Sequence, residues 1–93
     1  MSVSNFLKMP GVSVVDVREP WEFSEGHYPN SLNIPLGEVP SRLDELMAMS
    51  KPLILVCRSG NRSGMAKTIL EQHGVVEVFN GGGIFDMMNI VRN

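Results

Sequence analysis

Pro52-Leu-Ile-Leu-Val-Cys57-Arg-Ser-Gly-Asn-Arg-Ser63 is the stretch whose reading decides the fold. The apolar run Leu53 to Val56 shows no alternation, so it fits a strand covered on both faces. Cys57 ends that strand, and a helical pattern begins about six residues later. Between them Gly60 permits positive φ, while Ser59, Asn61 and Ser63 keep the loop short-chained. In open parallel sheets, ligands collect beyond the carboxyl ends of strands, where the following helix points its N-terminus. This loop therefore lies where a site belongs.

Outward from it, strands and helices alternate. Ser13 to Val17 reads as a strand and Pro20 to Glu25 as a short helical turn that Gly26 ends. Ser31 to Ile34 is a second strand closed by Pro35. Ser41 and Asp44 resemble a capping box, with Asp standing in for Glu, and Leu43, Leu46 and Met47 fall on one face of the helix that follows. Downstream, Ser63 to His73 is expected to be helical, with Ala66, Ile69, Leu70 and His73 on one face and Gly74 as the stop. Ser63 suits the N-cap of that helix, a role compatible with a place in the site. Val75 to Phe79 reads as another strand, Asn80 to Gly83 as a flexible turn, and Ile84 to Val91 as a last helix. Strands separated by helices imply parallel pairing and right-handed crossovers. The expected fold is a small open α/β parallel sheet of about four or five strands with helices on both faces, one domain over residues 1–93.

Composition narrows the function. The chain has 93 residues, 43% hydrophobic and 19% charged, an ordinary globular balance. A formal charge of −2 argues against a nucleic-acid or anionic-membrane surface. No run approaches the roughly 18 apolar residues of a membrane span. The first ten residues lack a basic start and a long apolar stretch, so no export signal is expected and the cytoplasm is the expected compartment. The single cysteine excludes an intrachain disulfide, and its two distant histidines make no zinc spacing.

The chemistry then rests on one thiol. Backbone N–H groups curling inward from Arg58 to Ser63 make an anion nest, and Arg58 and Arg62 add fixed positive charge. Such donors lower a thiol pKa, bind an oxyanionic substrate, and hold a persulfide whose terminal sulfur is negative. Taken singly, the features have plainer readings: a small buried hydrophobe for Cys57, solvated surface charges for Arg58 and Arg62. His27 sits in a turn and is read as a brace of a neighbouring loop. His73 is read as a packing or C-terminal group, and Trp21 as partly packed.

Four segments in this order resemble the rhodanese-like family of single-domain sulfurtransferases. Val15-Asp-Val-Arg-Glu-Pro-Trp-Glu-Phe23 is similar to the family's early D-x-R segment, and Gly26-His-Tyr-Pro-Asn-Ser-Leu-Asn-Ile-Pro35 to its GHIPGA-x-NIP segment. Cys57-Arg-Ser-Gly-Asn-Arg-Ser63 is similar to the active loop, and Gly81-Gly-Gly83 to the glycine turn before the last helix. The resemblance implies a five-stranded parallel sheet, Cys57 as the sulfur-accepting nucleophile, and Arg58, Ser59, Gly60, Asn61, Arg62 and Ser63 as the substrate cradle. It implies that Asp16 and Arg18 are buried or half-buried braces, where the residues alone also permit a surface pair. Related cysteine phosphatases close a longer loop with Arg after five intervening residues. Here that position is Ser63, and Arg62 follows after four. Asn30-Ser31 replaces the family's usual Gly-Ala, and Met87 stands where an aromatic residue is common, a change expected to loosen packing near the chain's end.

The expected function is thiosulfate sulfurtransferase: sulfane sulfur passes from thiosulfate through a Cys57 persulfide to cyanide or a cellular thiol. Neither a cofactor nor a metal is required. One alternative is a persulfide carrier fed by a sulfur-relay protein, and another is a non-catalytic anion-binding or redox-sensing domain. No nucleic acid and no membrane is expected among its partners.

Overall fold

The computed structural model describes residues 7–92; residues 1–6, which carry most of the stretch read for an export signal, and Asn93 lie outside the described residues. In chain order the elements are β1 (Ser13–Asp16), α1 (Pro20–Ser24), β2 (Leu32–Asn33), a 3₁₀ helix (Leu36–Ser41), α2 (Leu43–Ala48), β3 (Leu53–Cys57), α3 (Asn61–Gln72), β4 (Val78–Gly83) and α4 (Ile84–Arg92). Among the described residues four strands form one sheet, ordered β2-β1-β3-β4, and every pairing is parallel.

β3 is paired on both sides and buried along its whole length, which is why its sequence does not alternate. The pleat still sorts its side chains. Leu53, Leu55 and Cys57 pack with Val39 and Leu46, and with Ala66 and Leu70 of α3. Ile54 and Val56 face the other way, against Ile84 and Met87 of α4. Each such buried aliphatic side chain contributes about 1.5–3 kcal/mol. A one-residue slip of β3 would invert the set, so the same packing that stabilises the sheet fixes Cys57 on the α3 face.

Several local expectations are corrected. Pro35 and Pro40 favour a 3₁₀ helix over Leu36–Ser41, in which the Ser41 hydroxyl donates to the Glu38 carbonyl at 2.9 Å. Ser41 therefore forms no capping box; Arg42 is the N-cap of α2 and pairs with Glu38 and Glu45. With only six residues in α2, its buried face is Leu46, with Leu43 at its margin, and Met47 is exposed. α3 starts at Asn61, earlier than the sequence pattern indicates, because Gly60 at φ +96° turns the chain as N-cap. At the far end of α3, His73 is exposed, with Nδ1 against the Ile69 carbonyl at 2.9 Å.

β4 is also displaced. Glu77 has positive φ (57°) and the Val75 N–H returns to Leu70 O, so extended pairing begins at Val78 and continues through the glycines. Asn80 to Gly83 is thus strand rather than flexible turn. Gly81 makes the close approach possible, since a Cβ there would lie 2.8 Å from Ile54 Cγ2 and 3.1 Å from Met87 Sδ. Met87 is fully buried beneath it, so the replacement of an aromatic leaves this position packed.

Candidate active site

At the carboxyl end of β3 the loop curls round the sulfur. The Gly60 N–H donates to Cys57 Sγ at 3.0 Å, and Ser63 Oγ lies 3.4 Å from the same atom. Cys57 and Ser63 have no exposed surface. Ser63 stands in the first turn of α3, where its side chain turns inward to the thiol rather than capping the helix. Burial alone pushes the Cys57 thiol up. The Ser63 hydroxyl and the backbone N–H groups of Ser63, Ser59 and Gly60 outweigh that and hold it below its ordinary value. The geometry therefore makes ionisation of the thiol easier than for a free cysteine.

The other loop residues divide. Arg58, Ser59 and Asn61 are exposed, and Gly60 and Arg62 are half-buried. Arg62 donates to both Glu22 carboxylate oxygens, at 2.7 and 3.0 Å, tying α3 to α1. That fork leaves less of its charge for an incoming anion than Arg58 offers. The Arg62 hydrogen bond is the main cause holding the Glu22 carboxyl at about 2. Glu22 protonates near 4.5 in an unpaired setting, so the pair stabilises the fold fully above that pH and loses its effect as pH falls through about 2. Glu22→Gln is expected to cost about 2 kcal/mol at neutral pH and progressively less below pH 4.5, read by denaturant unfolding at stepped pH.

Asp16 and Arg18 form the brace that the resemblance implies. Arg18 Nε and Nη2 donate to the buried Asp16 carboxylate at 2.7–2.9 Å, and Nη2 also reaches Gly26 O at 2.8 Å. Asn33 Nδ2 ties the same corner by bonding Asp16 O and Arg18 O. His27 stacks on Phe23 with ring centroids 3.8 Å apart and does not meet the thiol's hydrogen-bond partners.

Beside the loop opens a cleft of about 670 Å³ lined by Arg18, Trp21, Glu22, Arg58, Phe85 and Met88, among others. Trp21 is 64% exposed at its edge and Phe85 73%, so Trp21 is a surface residue and not a packed one.

Two participants escape a local reading. Asn80 of β4 accepts from the Ser63 hydroxyl at 2.6 Å and from the Gly82 N–H at 2.9 Å, and donates to Gly60 O at 3.0 Å. Gly83 backs the loop so closely that a Cβ would lie 2.6 Å from Arg58 O. A polar residue entering a glycine run after a strand is the only sequence signal for either.

Comparison with known proteins follows the same geometry. The sequence profile of the rhodanese-like domain matches residues 2–86. Thiosulfate sulfurtransferase PspE of Escherichia coli is 36% identical over 74 residues, covering 78% of this chain and 71% of that protein. Protein YqhL of Bacillus subtilis is 40% identical over 77% of this chain, and the putative sulfur carrier protein YrkF of the same organism 38% identical over 74%. The chain spans only 56% and 37% of the lengths of those two. A solved structure described as rhodanese with anions from E. coli superposes with a TM-score of 0.72 at 33% identity, covering 81% of this chain and 89% of that one.

Proposed function

The chain belongs to the rhodanese-like domain family, and from that membership we propose that it is a thiosulfate sulfurtransferase acting through Cys57. The observation that carries the reading is the Cys57 sulfur at the carboxyl end of the central strand, with the Gly60 N–H at 3.0 Å and the Ser63 hydroxyl at 3.4 Å. The Cys57 thiolate attacks the sulfane sulfur of thiosulfate. The S–S bond of thiosulfate breaks, its electron pair leaves with sulfite, and Cys57 carries a persulfide. Cyanide or a thiolate then attacks the outer sulfur and returns the Cys57 thiolate. Sulfite and thiolate leave as stable anions, so the cycle proceeds without a general acid, and the loop N–H groups of Ser59, Gly60 and Ser63 stabilise the charge that develops. The sulfur lies beneath its loop donors, next to the cleft that Arg58 lines. Arg58 guides the dianion from the cleft, with Ser59, Asn61 and Arg62 completing the cradle. A lone reduced thiol suits the cytoplasm, and among the described residues no helix is long and apolar enough to cross a membrane.

Thiocyanate formation from thiosulfate and cyanide tests the reading. Arg58→Ala is expected to raise KM for thiosulfate about tenfold with kcat nearly unchanged, the mark of lost ground-state attraction. Arg62→Ala is expected to raise it less, because Glu22 already draws on that charge. Absence of turnover in the wild type contradicts the proposal.

A second reading, a persulfide carrier, is favoured by the cleft. About 670 Å³ edged by exposed Trp21 and Phe85 exceeds the needs of thiosulfate and suits a loop of a partner protein. The similarity to the putative sulfur carrier protein YrkF points the same way. Under this reading transfer from a persulfidated protein outruns transfer from thiosulfate.

A further inference from the structure

Ser63 has one hydroxyl hydrogen and two neighbours that want it, Cys57 Sγ at 3.4 Å and Asn80 Oδ1 at 2.6 Å. Which of them receives it depends on how Asn80 is oriented, and two backbone groups fix that orientation. Oδ1 accepts from the Gly82 N–H at 2.9 Å, while Nδ2 donates to Gly60 O at 3.0 Å. A flipped amide would face oxygen to oxygen at Gly60 and N–H to N–H at Gly82. Ser63 therefore always faces an acceptor. Buried with no exposed surface, it has no water to turn to.

Resting on the reading of Cys57 as the sulfur acceptor, we propose that Asn80 is a positioning residue that makes Ser63 a two-position hydroxyl rotor. When Cys57 is a thiol, Ser63 donates to Asn80 Oδ1 and accepts the S–H. When Cys57 loses its proton to solvent, the Ser63 hydrogen rotates to the buried Sγ, and Asn80 Oδ1, on an exposed residue, keeps the Gly82 N–H. When sulfur is transferred, negative charge moves to the outer sulfur and the hydrogen returns to Asn80. No proton is transferred between residues in this rotation. Asn80 acts on the sulfur through Ser63, by competing for a single hydrogen.

The charged groups that surrounding elements bring to this corner are Arg62 with its partner Glu22, Asp16 with Arg18, Arg58 in the loop, and Asp86 at the start of α4 beside Gly83. All remain unchanged in a double-mutant cycle between positions 63 and 80, so their fields cancel. The readout is the pH midpoint of iodoacetamide alkylation of the full chain, which has one cysteine.

Asn80→Ala removes the competing acceptor and is expected to shift the midpoint lower in the wild-type background than in the Ser63→Ala background, the two shifts differing by about half to one pH unit. Asn80→Asp provides a stronger acceptor and reverses the sign: its upward shift is larger in the wild-type background by at least about half a unit. The added charge and the lost Gly60 bond act in both backgrounds and drop out of the difference. Equal shifts in the two backgrounds, or differences of the opposite sign, overturn the rotor and leave Asn80 a brace of the loop. Should Asn80→Ala not fold, Asn80→Asp decides alone. Alkylation does not read sulfur transfer, so failure of the rotor and failure of the proposed activity are seen separately.

Discussion

Cys57→Ser is expected to abolish thiocyanate formation, a loss of at least about a thousandfold, while leaving stability within about 1 kcal/mol of the wild type. A serine hydroxyl at neutral pH is neither ionised nor able to hold a second sulfur. The substitution is otherwise mild. The Gly60 N–H and the Ser63 hydroxyl remain in position to bond the new oxygen, and the residue stays in the same fully buried pocket. Kinetics and thermal unfolding on the same preparation separate the two effects. Turnover that survives would mean that a group other than Cys57 accepts sulfur.

Gly83→Ala is expected to lower turnover tenfold to a hundredfold and to cost about 1–3 kcal/mol of stability. Gly83 pairs opposite Cys57 in the sheet, and a Cβ there would lie 2.6 Å from Arg58 O and 3.4 Å from Arg58 C. These are backbone atoms, so no side chain can turn aside to relieve the clash. The loop must shift at the residue directly after the nucleophile, moving the Ser59 and Gly60 N–H groups off the sulfur. Gly37→Ala is the matched control, since a Cβ there meets nothing within 4 Å. Wild-type turnover in Gly83→Ala would show that the loop tolerates displacement and that its geometry is not what activates the thiol.

The fold and the placement of Cys57 at the end of the central strand were legible in the sequence for a common reason. An apolar run without alternation, a cysteine at its end, a glycine and a helix start are contiguous, and local rules of strand burial and helix termination apply to contiguous residues. The partners of the site were not legible. Ser63 meets Asn80 across 17 residues, and Arg62 meets Glu22 across 40, distances at which no periodicity links one residue to another. Short elements defeated pattern reading in another way. α1 and α2 are too brief for periodicity to say which face meets the sheet, so Trp21 and Met47 emerged exposed. The glycines of β4 read as a turn because their lack of side chains suggests freedom. In the sheet that same lack lets β4 lie against Ile54 and the Arg58 carbonyl.

The central claim is that Cys57 carries sulfur. Intact-mass measurement after incubation with excess thiosulfate tests it most directly. The protein is expected to gain about 32 Da, one sulfur atom, on the peptide containing Cys57, to lose it on addition of cyanide, and to gain nothing as Cys57→Ser. A wild-type mass unchanged by thiosulfate and by persulfidated donors, or a sulfur found on any other residue, would contradict the account.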